Sequence, residues 1–179
     1  KSRPDGLTYG SGGNGSSGHL CTELFCSLTG IRMTHIPYKG DSQAANDLLA
    51  GQIQVMFTAP NVAMANVKAG RLKLLAVTTR ERVASMPEVP AVHETLKDFE
   101  YLGWILAFAP AATPRNAIDT LANAWNKARN TPAIQDKLEE LAMRAPERFA
   151  NRQTLIDFVK NEHARLGKLI RDAGIKAEG

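Results

Sequence analysis

The sequence is short of most residues and patterns that announce a function. It has two cysteines, Cys21 and Cys26. On one helix their spacing sets them roughly 140° apart around the axis and roughly 8 Å between Cα atoms, which excludes a disulfide while that helix is intact. They read as small buried apolar side chains. The four histidines, His19, His35, His93 and His163, are dispersed without metal-ligand spacing, so no metal site is expected. No apolar run approaches the roughly 20 residues that span a bilayer, so no direct membrane insertion is expected. Lysine and arginine form no tract. With a net charge of only +4, they read as solvated helix faces, and no nucleic acid partner is expected. No secretory signal precedes Lys1, and the stretch from Lys1 to Gly6 reads as an interior linker.

Catalytic and nucleotide motifs are missing too. No lysine follows the glycines of the opening loop, so a phosphate loop of the G-x-x-x-x-G-K type is absent. The pattern Gly10-x-Gly12-x-x-Gly15 fits a dinucleotide fingerprint, but Thr29-Gly30-Ile31 stands where its acidic residue belongs. The nucleophile elbow G-x-S-x-G fails at both Ser16 and Ser17. No paired carboxylates mark an acid–base site, since Asp41 and Asp47 read as a helix cap and a helix surface. Neither a cofactor nor a catalytic residue is expected.

What the chain does have is ordinary bulk and one unusual stretch. At 179 residues, 44% hydrophobic and 22% charged, it can bury a real core as one domain or as a large lobe. The stretch from Leu7 to Leu20, LTYGSGGNGSSGHL, carries five glycines, three serines and an asparagine between a β-favouring run and an amphipathic helix. Glycine lets backbone approach a ligand closely, and a helix N-terminus offers unpaired N–H groups and the positive end of its dipole. The stretch reads either as an anion cradle or as a solvated flexible loop. His19 lies one turn after Ser16, where it contacts a ligand or packs.

Three strand–helix units follow in order. The first is strand Leu7–Ser11 and a helix from about Ser16 to Thr29, with Leu20, Leu24 and Leu28 on its apolar stripe and Gly30 as its stop. The second is strand Met33–Pro37, a turn at Tyr38-Lys39-Gly40, and a helix capped by Asp41 or Ser42 that ends at Gly51. The third is strand Ile53–Phe57, a turn at Thr58-Ala59, and a helix ending at Gly70. Leu72–Val77 reads as a fourth strand, buried on both faces. Such alternation predicts an α/β fold with a mostly parallel sheet flanked by helices. Ligands bind beyond the carboxyl ends of such strands. Those ends, Ser11–Ser17, Pro37–Ser42, Thr58–Asn61 and Thr78–Arg80, all carry polar or small residues. Tyr38 offers a hydroxyl and Lys39 a charge to an anion there, or they form a plain solvated turn.

The remainder is a proline-punctuated connection at Met86–Pro90, a strand over Phe99–Ala109, helices opened by Thr113-Pro114 and Thr131-Pro132, and a long amphipathic helix from Asn151 to about Asp172. Leu155, Phe158, Val159, Leu166 and Ile170 are its expected core face, and Gly174 ends it.

Several collinear segments resemble one family. They are Tyr9-Gly10-Ser11-x-Gly13-x-Gly15-Ser16-x-x-His19-Leu20, His35-Ile36-Pro37-Tyr38-Lys39-Gly40, the run from Asp47 to Phe57, Leu75–Thr78, Pro87–Val92, Ala109-Pro110-Ala111-x-Thr113-Pro114 and Ala173–Lys176. The family is the substrate-binding receptors of tripartite tricarboxylate transporters, the Bug-type periplasmic receptors. The resemblance implies a type II periplasmic-binding-protein fold of two lobes, a small organic acid ligand, membrane permease subunits as partners, a periplasmic location and no catalysis. It assigns residues 1–110 to the second, ligand-binding lobe and 111–179 to a helical segment that packs on or returns between the lobes, with the first lobe absent. It places Ser11, Gly13, Asn14, Gly15, Ser16 and Ser17 around a ligand carboxylate, with Tyr38, Lys39, Thr58 and Ala59 bordering the cleft, and His19 is a candidate ligand contact by its position one turn after Ser16. Thr58 stands where the family often has aspartate, which points to a ligand without an ammonium group, such as a di- or tricarboxylate or an aromatic acid. Two other readings stay open: an α/β enzyme acting on an anionic substrate through Ser16/His19 or Lys39, and a carboxylate-sensing signalling module.

Overall fold

A computed structural model of the protein describes residues 6–141, 143 and 151–175. The expected linker residues Lys1–Asp5, and Lys176 of the closing motif, lie outside the described residues. The order of elements is β1 (Leu7–Ser11), α1 (Ser17–Thr29), β2 (Met33–Pro37), α2 (Asp41–Leu49), β3 (Val55–Met56), α3 (Pro60–Lys68), α4 (Val92–Thr95), α5 (Arg115–Arg129), α6 (Pro132–Glu140) and α7 (Arg152–Asp172).

The sheet has strand order β2-β1-β3, all parallel, with Tyr9 paired to His35 on one side and to Val55 on the other. Each strand therefore ends on the same edge, and α1, α2 and α3 all begin there. Gly30 stops α1 in the left-handed conformation at φ 67°, where a side chain would be strained, and its N–H bonds Cys26 O at 2.9 Å. Pro60 and Pro132 sit at the first position of α3 and α6, where the missing N–H costs nothing.

The chain forms two compact units, Lys1–Gly103 with Asn161–Gly179, and Trp104–Lys160. In the first, Leu20, Cys21, Phe99 and Tyr101 form a buried cluster, with Leu24, Phe25 and Phe57 packed against it and Leu166, Leu169 and Ile170 of α7 closing it. Phe25 meets Phe99 edge to face at 6.1 Å. Burying Phe99 alone is worth roughly 1.5–3 kcal/mol. On the other side of β1, Ala44 and Ile53 press so closely that a Cβ at Gly10 would lie 2.3 Å from Ile53 Cδ1.

The second unit holds α5, α6 and the first turns of α7. Trp104 and Phe158 meet edge to face at 6.0 Å within it.

Several sequence expectations need correction. Leu72–Val77 is not a strand: its chain makes only an isolated parallel bridge, Val77 to Ala91, and Leu75 is 62% exposed. Side chains there alternate between half-buried and exposed, with Lys73 among the exposed ones, so the run is not buried on both faces. Phe99–Ala109 is likewise irregular among the described residues: Phe99 and Tyr101 are buried, but Ile105 and Phe108 are 84% and 79% exposed. An extended apolar run makes a strand only when a neighbouring strand completes its hydrogen bonds. The third strand shrinks from Ile53–Phe57 to Val55–Met56. Gly40, not Asp41 or Ser42, caps α2, and Pro114 takes the cap of α5. Leu28 of the expected α1 stripe is 38% exposed, so the apolar stripe does not stay buried to the end of the helix. Of the two cysteines, Cys21 is buried and Cys26 half-buried, and both are free thiols.

Candidate functional site

The shared sheet edge gathers the loop after β1, the turn after β2 and the turn after β3. The loop is shaped from beneath. Ser11, fully buried, donates from Oγ to Gly13 O at 3.0 Å and accepts from Gly13 N at 3.2 Å. Gly13 takes φ 123° and Gly15 φ 72°, conformations that L side chains rarely adopt. Ser16 N donates back to Gly13 O at 3.1 Å, closing the turn, and Ser16 Oγ caps α1 by accepting from His19 N at 3.4 Å. Asn14, Gly15 and Ser17 are exposed. Ser17 opens α1, and its hydroxyl donates to Tyr101 Oη at 3.4 Å.

Two close approaches depend on glycine. A Cβ at Gly18 would lie 2.4 Å from Phe57 O, and one at Gly12 would lie 2.5 Å from Asp41 Oδ1. The first turn of α1 is thereby seated against the end of β3, and the loop against the first turn of α2.

His19 is buried under the loop, and its Nδ1 accepts from Gly15 N at 3.0 Å. Its ring stacks on that of His35 at 3.9 Å between centroids, and Tyr9 stacks on His35 at 4.8 Å while lying 6.3 Å from His19. His35 Nε2 lies 2.7 Å from Ser11 Oγ. Burial, and then the neighbouring His19, push the His35 pKa down to about 4. Burial lowers His19 as well, opposed by the Glu23 carboxylate. Tyr9 Oη donates to Glu23 at 2.5 Å, and burial raises its pKa.

The other residues singled out from sequence are arranged differently. Tyr38 N donates to Ser11 O at 3.0 Å, but its hydroxyl donates to Asp47 Oδ2 of α2 at 2.7 Å. Lys39 is exposed, and its backbone N–H donates to Gln43 Oε1 at 3.3 Å. Thr58 donates to Asp41 Oδ2 at 2.9 Å, and Ala59 is the exposed cap of α3. Thr58 therefore does not strip the corner of negative charge, because Asp41 brings a carboxylate to it. In the sequence Asp41 is marked only as a helix cap and His35 only as one of four dispersed histidines. The signal for His35 was the parallel register of LTYGS on MTHIP, which sets it beside Tyr9. Nothing in the sequence signals the role of Asp41.

Chemically, this edge combines three helix N-termini, a loop of small residues and hydroxyls, and one carboxylate. Helix N-termini favour anions. Among the described residues no group of histidine, cysteine and carboxylate side chains is placed to hold a metal ion.

A family model described as the tripartite tricarboxylate transporter family receptor matches residues 1–175. A UPF0065 protein encoded between tcbD and tcbE in a Pseudomonas species is 34% identical over 99% of this chain. The chain spans only 53% of that relative's length. Among solved structures, the periplasmic binding protein BugD is similar with a TM-score of 0.87 at 28% identity, covering 96% of this chain and 58% of its own. An R. palustris protein solved with adipate is similar with a TM-score of 0.84 at 30% identity, covering 94% of this chain and 56% of its own. The α/β architecture is thus that of periplasmic binding proteins. Among the described residues no helix is long and apolar enough to cross a membrane.

Proposed function

The chain belongs to the tripartite tricarboxylate transporter receptor family, and from that premise we propose that it is the larger part of a periplasmic receptor that captures a small carboxylate-bearing metabolite. The observation that carries this reading is the convergence of the N-termini of α1, α2 and α3 with the Ser11–Ser17 loop on one edge of a parallel sheet. Each N-terminus directs unpaired N–H groups and partial positive charge towards the same edge. In this reading the loop amides with the Ser16 and Ser17 side chains hold one carboxylate, while the turns Tyr38-Lys39 and Thr58-Ala59 border it. His19 acts from below, through Gly15.

We read the site as a binder that performs no reaction. Ser16 Oγ is the helix cap and His19 Nδ1 accepts from a backbone amide, so the pair is not arranged as nucleophile and base. Residues 1–110 form the ligand-binding lobe in this proposal and 111–179 the helical segment. A further lobe completes the cleft, and permease subunits in the membrane receive the ligand.

Differential scanning fluorimetry against adipate and a panel of di- and tricarboxylates tests the proposal. At about 10 mM ligand, at least one acid raises Tm by roughly 2 °C or more and is recovered unchanged. Turnover of the acid favours an enzyme, and the absence of any shift overturns the reading that the Ser11–Ser17 edge of this chain holds a carboxylate.

A further inference from the structure

Beneath the loop, one lone pair has two competitors. In neutral imidazole one nitrogen carries the proton and the other accepts. His19 Nδ1 accepts from Gly15 N at 3.0 Å, so its proton is on Nε2. The sole basic atom of neutral His19 is therefore the atom that holds Gly15. A proton arriving at His19 must take that lone pair, and the resulting N–H points at another N–H.

We propose that His19 and His35 are positioning residues for the ligand-facing loop, which keeps its shape, and the chain its hold on an anion, only while His19 Nδ1 remains free to accept from Gly15.

The surroundings set where the proton goes. His35 reaches the loop by a second route, through Ser11 Oγ at 2.7 Å, and Ser11 in turn bonds Gly13. The two rings lie 3.9 Å apart, so both cannot be charged together without strong repulsion. The ionisable groups around the pair are Tyr9 on β1 and Glu23 on α1, with Cys26 of α1 near Tyr9. Residues Gly12–Ser16 of the loop add no ionisable side chain. Tyr9 stays neutral at any pH of interest. Glu23 is the one anion of this set, and it favours charge on His19 over His35. The first proton is thereby drawn to the ring whose protonation releases Gly15. Burial delays the event to below the ordinary histidine range. Gly15 has a positive φ and open space around it, so its peptide can turn once this bond is lost, while Ser11 and Ser16 still hold Gly13.

The consequence for capture rests on the receptor reading, whereas the consequence for the loop does not. The test separates them. Amide and imidazole NMR of the full 179-residue chain without ligand is followed from about pH 7.5 to about pH 4.5. At the upper end, His19 is expected as the Nε2–H tautomer. On acidification, the Gly15 amide shifts with the His19 titration and its protection factor falls about tenfold or more. His19→Asn keeps an acceptor near the Nδ1 position that cannot be protonated, and so retains Gly15 protection at low pH. His19→Gln places its amide near the Nε2 position and loses that protection at every pH. An Nδ1–H tautomer, or a Gly15 amide that ignores the His19 titration, overturns the proposal.

Capture is read with butane-1,4-disulfonate, an analogue of adipate that stays charged throughout. Its affinity falls about tenfold between about pH 7.5 and about pH 4.5, and this slope disappears in His19→Asn. A slope that persists in His19→Asn overturns the proposal. If neither adipate nor the disulfonate binds at neutral pH, the receptor reading fails while the Gly15 result still decides the loop.

Discussion

Gly18 lies against Phe57 so closely that a Cβ at position 18 would stand 2.4 Å from the Phe57 carbonyl oxygen. That contact seats the first turn of α1 on the end of β3, and it involves backbone that cannot swing aside like a flexible side chain. Thr22, one turn on, is fully buried and donates to Gly18 O at 2.7 Å, so α1 is held from within as well. Gly18→Ala is expected to force α1 and β3 apart at a cost of about 1–3 kcal/mol, or roughly 3–10 °C in Tm. Thermal unfolding checks this. A variant as stable as the wild type means that the two elements slide freely and that their register does not define the edge.

Asp41 gives a prediction of opposite sign for binding and for stability. Its carboxylate accepts from Thr58 and lies beside Gly12, on the edge proposed to hold an anion. It also sits in the first turn of α2, where negative charge is favourable. Asp41→Asn is expected to tighten binding of the proposed carboxylate ligand about threefold by removing a repulsive charge, while costing about 0.5 kcal/mol of stability. Titration calorimetry and thermal unfolding read the two effects separately. Weaker binding means that Asp41 is an arm of the site, positioned by Thr58, and that its charge is not merely tolerated.

The βα plan was legible in the sequence because local signals and burial agree there. Leu7–Ser11 and Met33–Pro37 are strands with the expected bounds, and Ser16, Gly30 and Pro132 stand at the helix ends that their chemistry favours. The two lost strands share one physical origin. Leu72–Val77 and Phe99–Ala109 have strand composition, but a strand is a pairing, and composition does not reveal whether a neighbour exists. At the site, the loop was visible as a run of glycine and serine. Its support was not visible, because Tyr9, His19, His35 and Glu23 come from three elements whose contact depends on strand register.

The same histidines make global stability depend on pH. His35 titrates at about 4 in the folded chain against about 6.5 when unfolded. Between those values the unfolded state binds more protons, so stability rises with pH through this window and is fully present above about 6.5. After allowance for partial solvent exposure, the loss on going down to about pH 4.5 is about 1–2 kcal/mol, or roughly 3–6 °C in Tm. His35→Gln, which keeps a polar group near Ser11 but cannot be protonated, should make this dependence shallower and leave the part that His19 contributes. Calorimetric scans at several pH values provide the measurement. A Tm that is flat down to about pH 4.5 in the wild type means that the imidazoles are not held neutral by the fold.

The Trp104–Lys160 unit exposes large apolar side chains, including Ile105 at 84%, Phe108 at 79%, Trp125 at 69% and Leu121 at 65%. Leu121 and Trp125 are one turn apart on α5 and share a face of the helix. Isolated exposed apolar residues are ordinary, but a row of this kind on a small unit favours association. The 179-residue chain is therefore expected to bind a hydrophobic dye in its native state and to self-associate as its concentration is raised. Trp125→Glu with Phe108→Glu should reduce both without lowering Tm by more than about 1 °C, since neither side chain is buried. Sedimentation velocity and dye fluorescence measure the two effects. If the double variant associates as strongly as the wild type, the sticky surface lies elsewhere, and the apolar row on α5 is already satisfied within the chain.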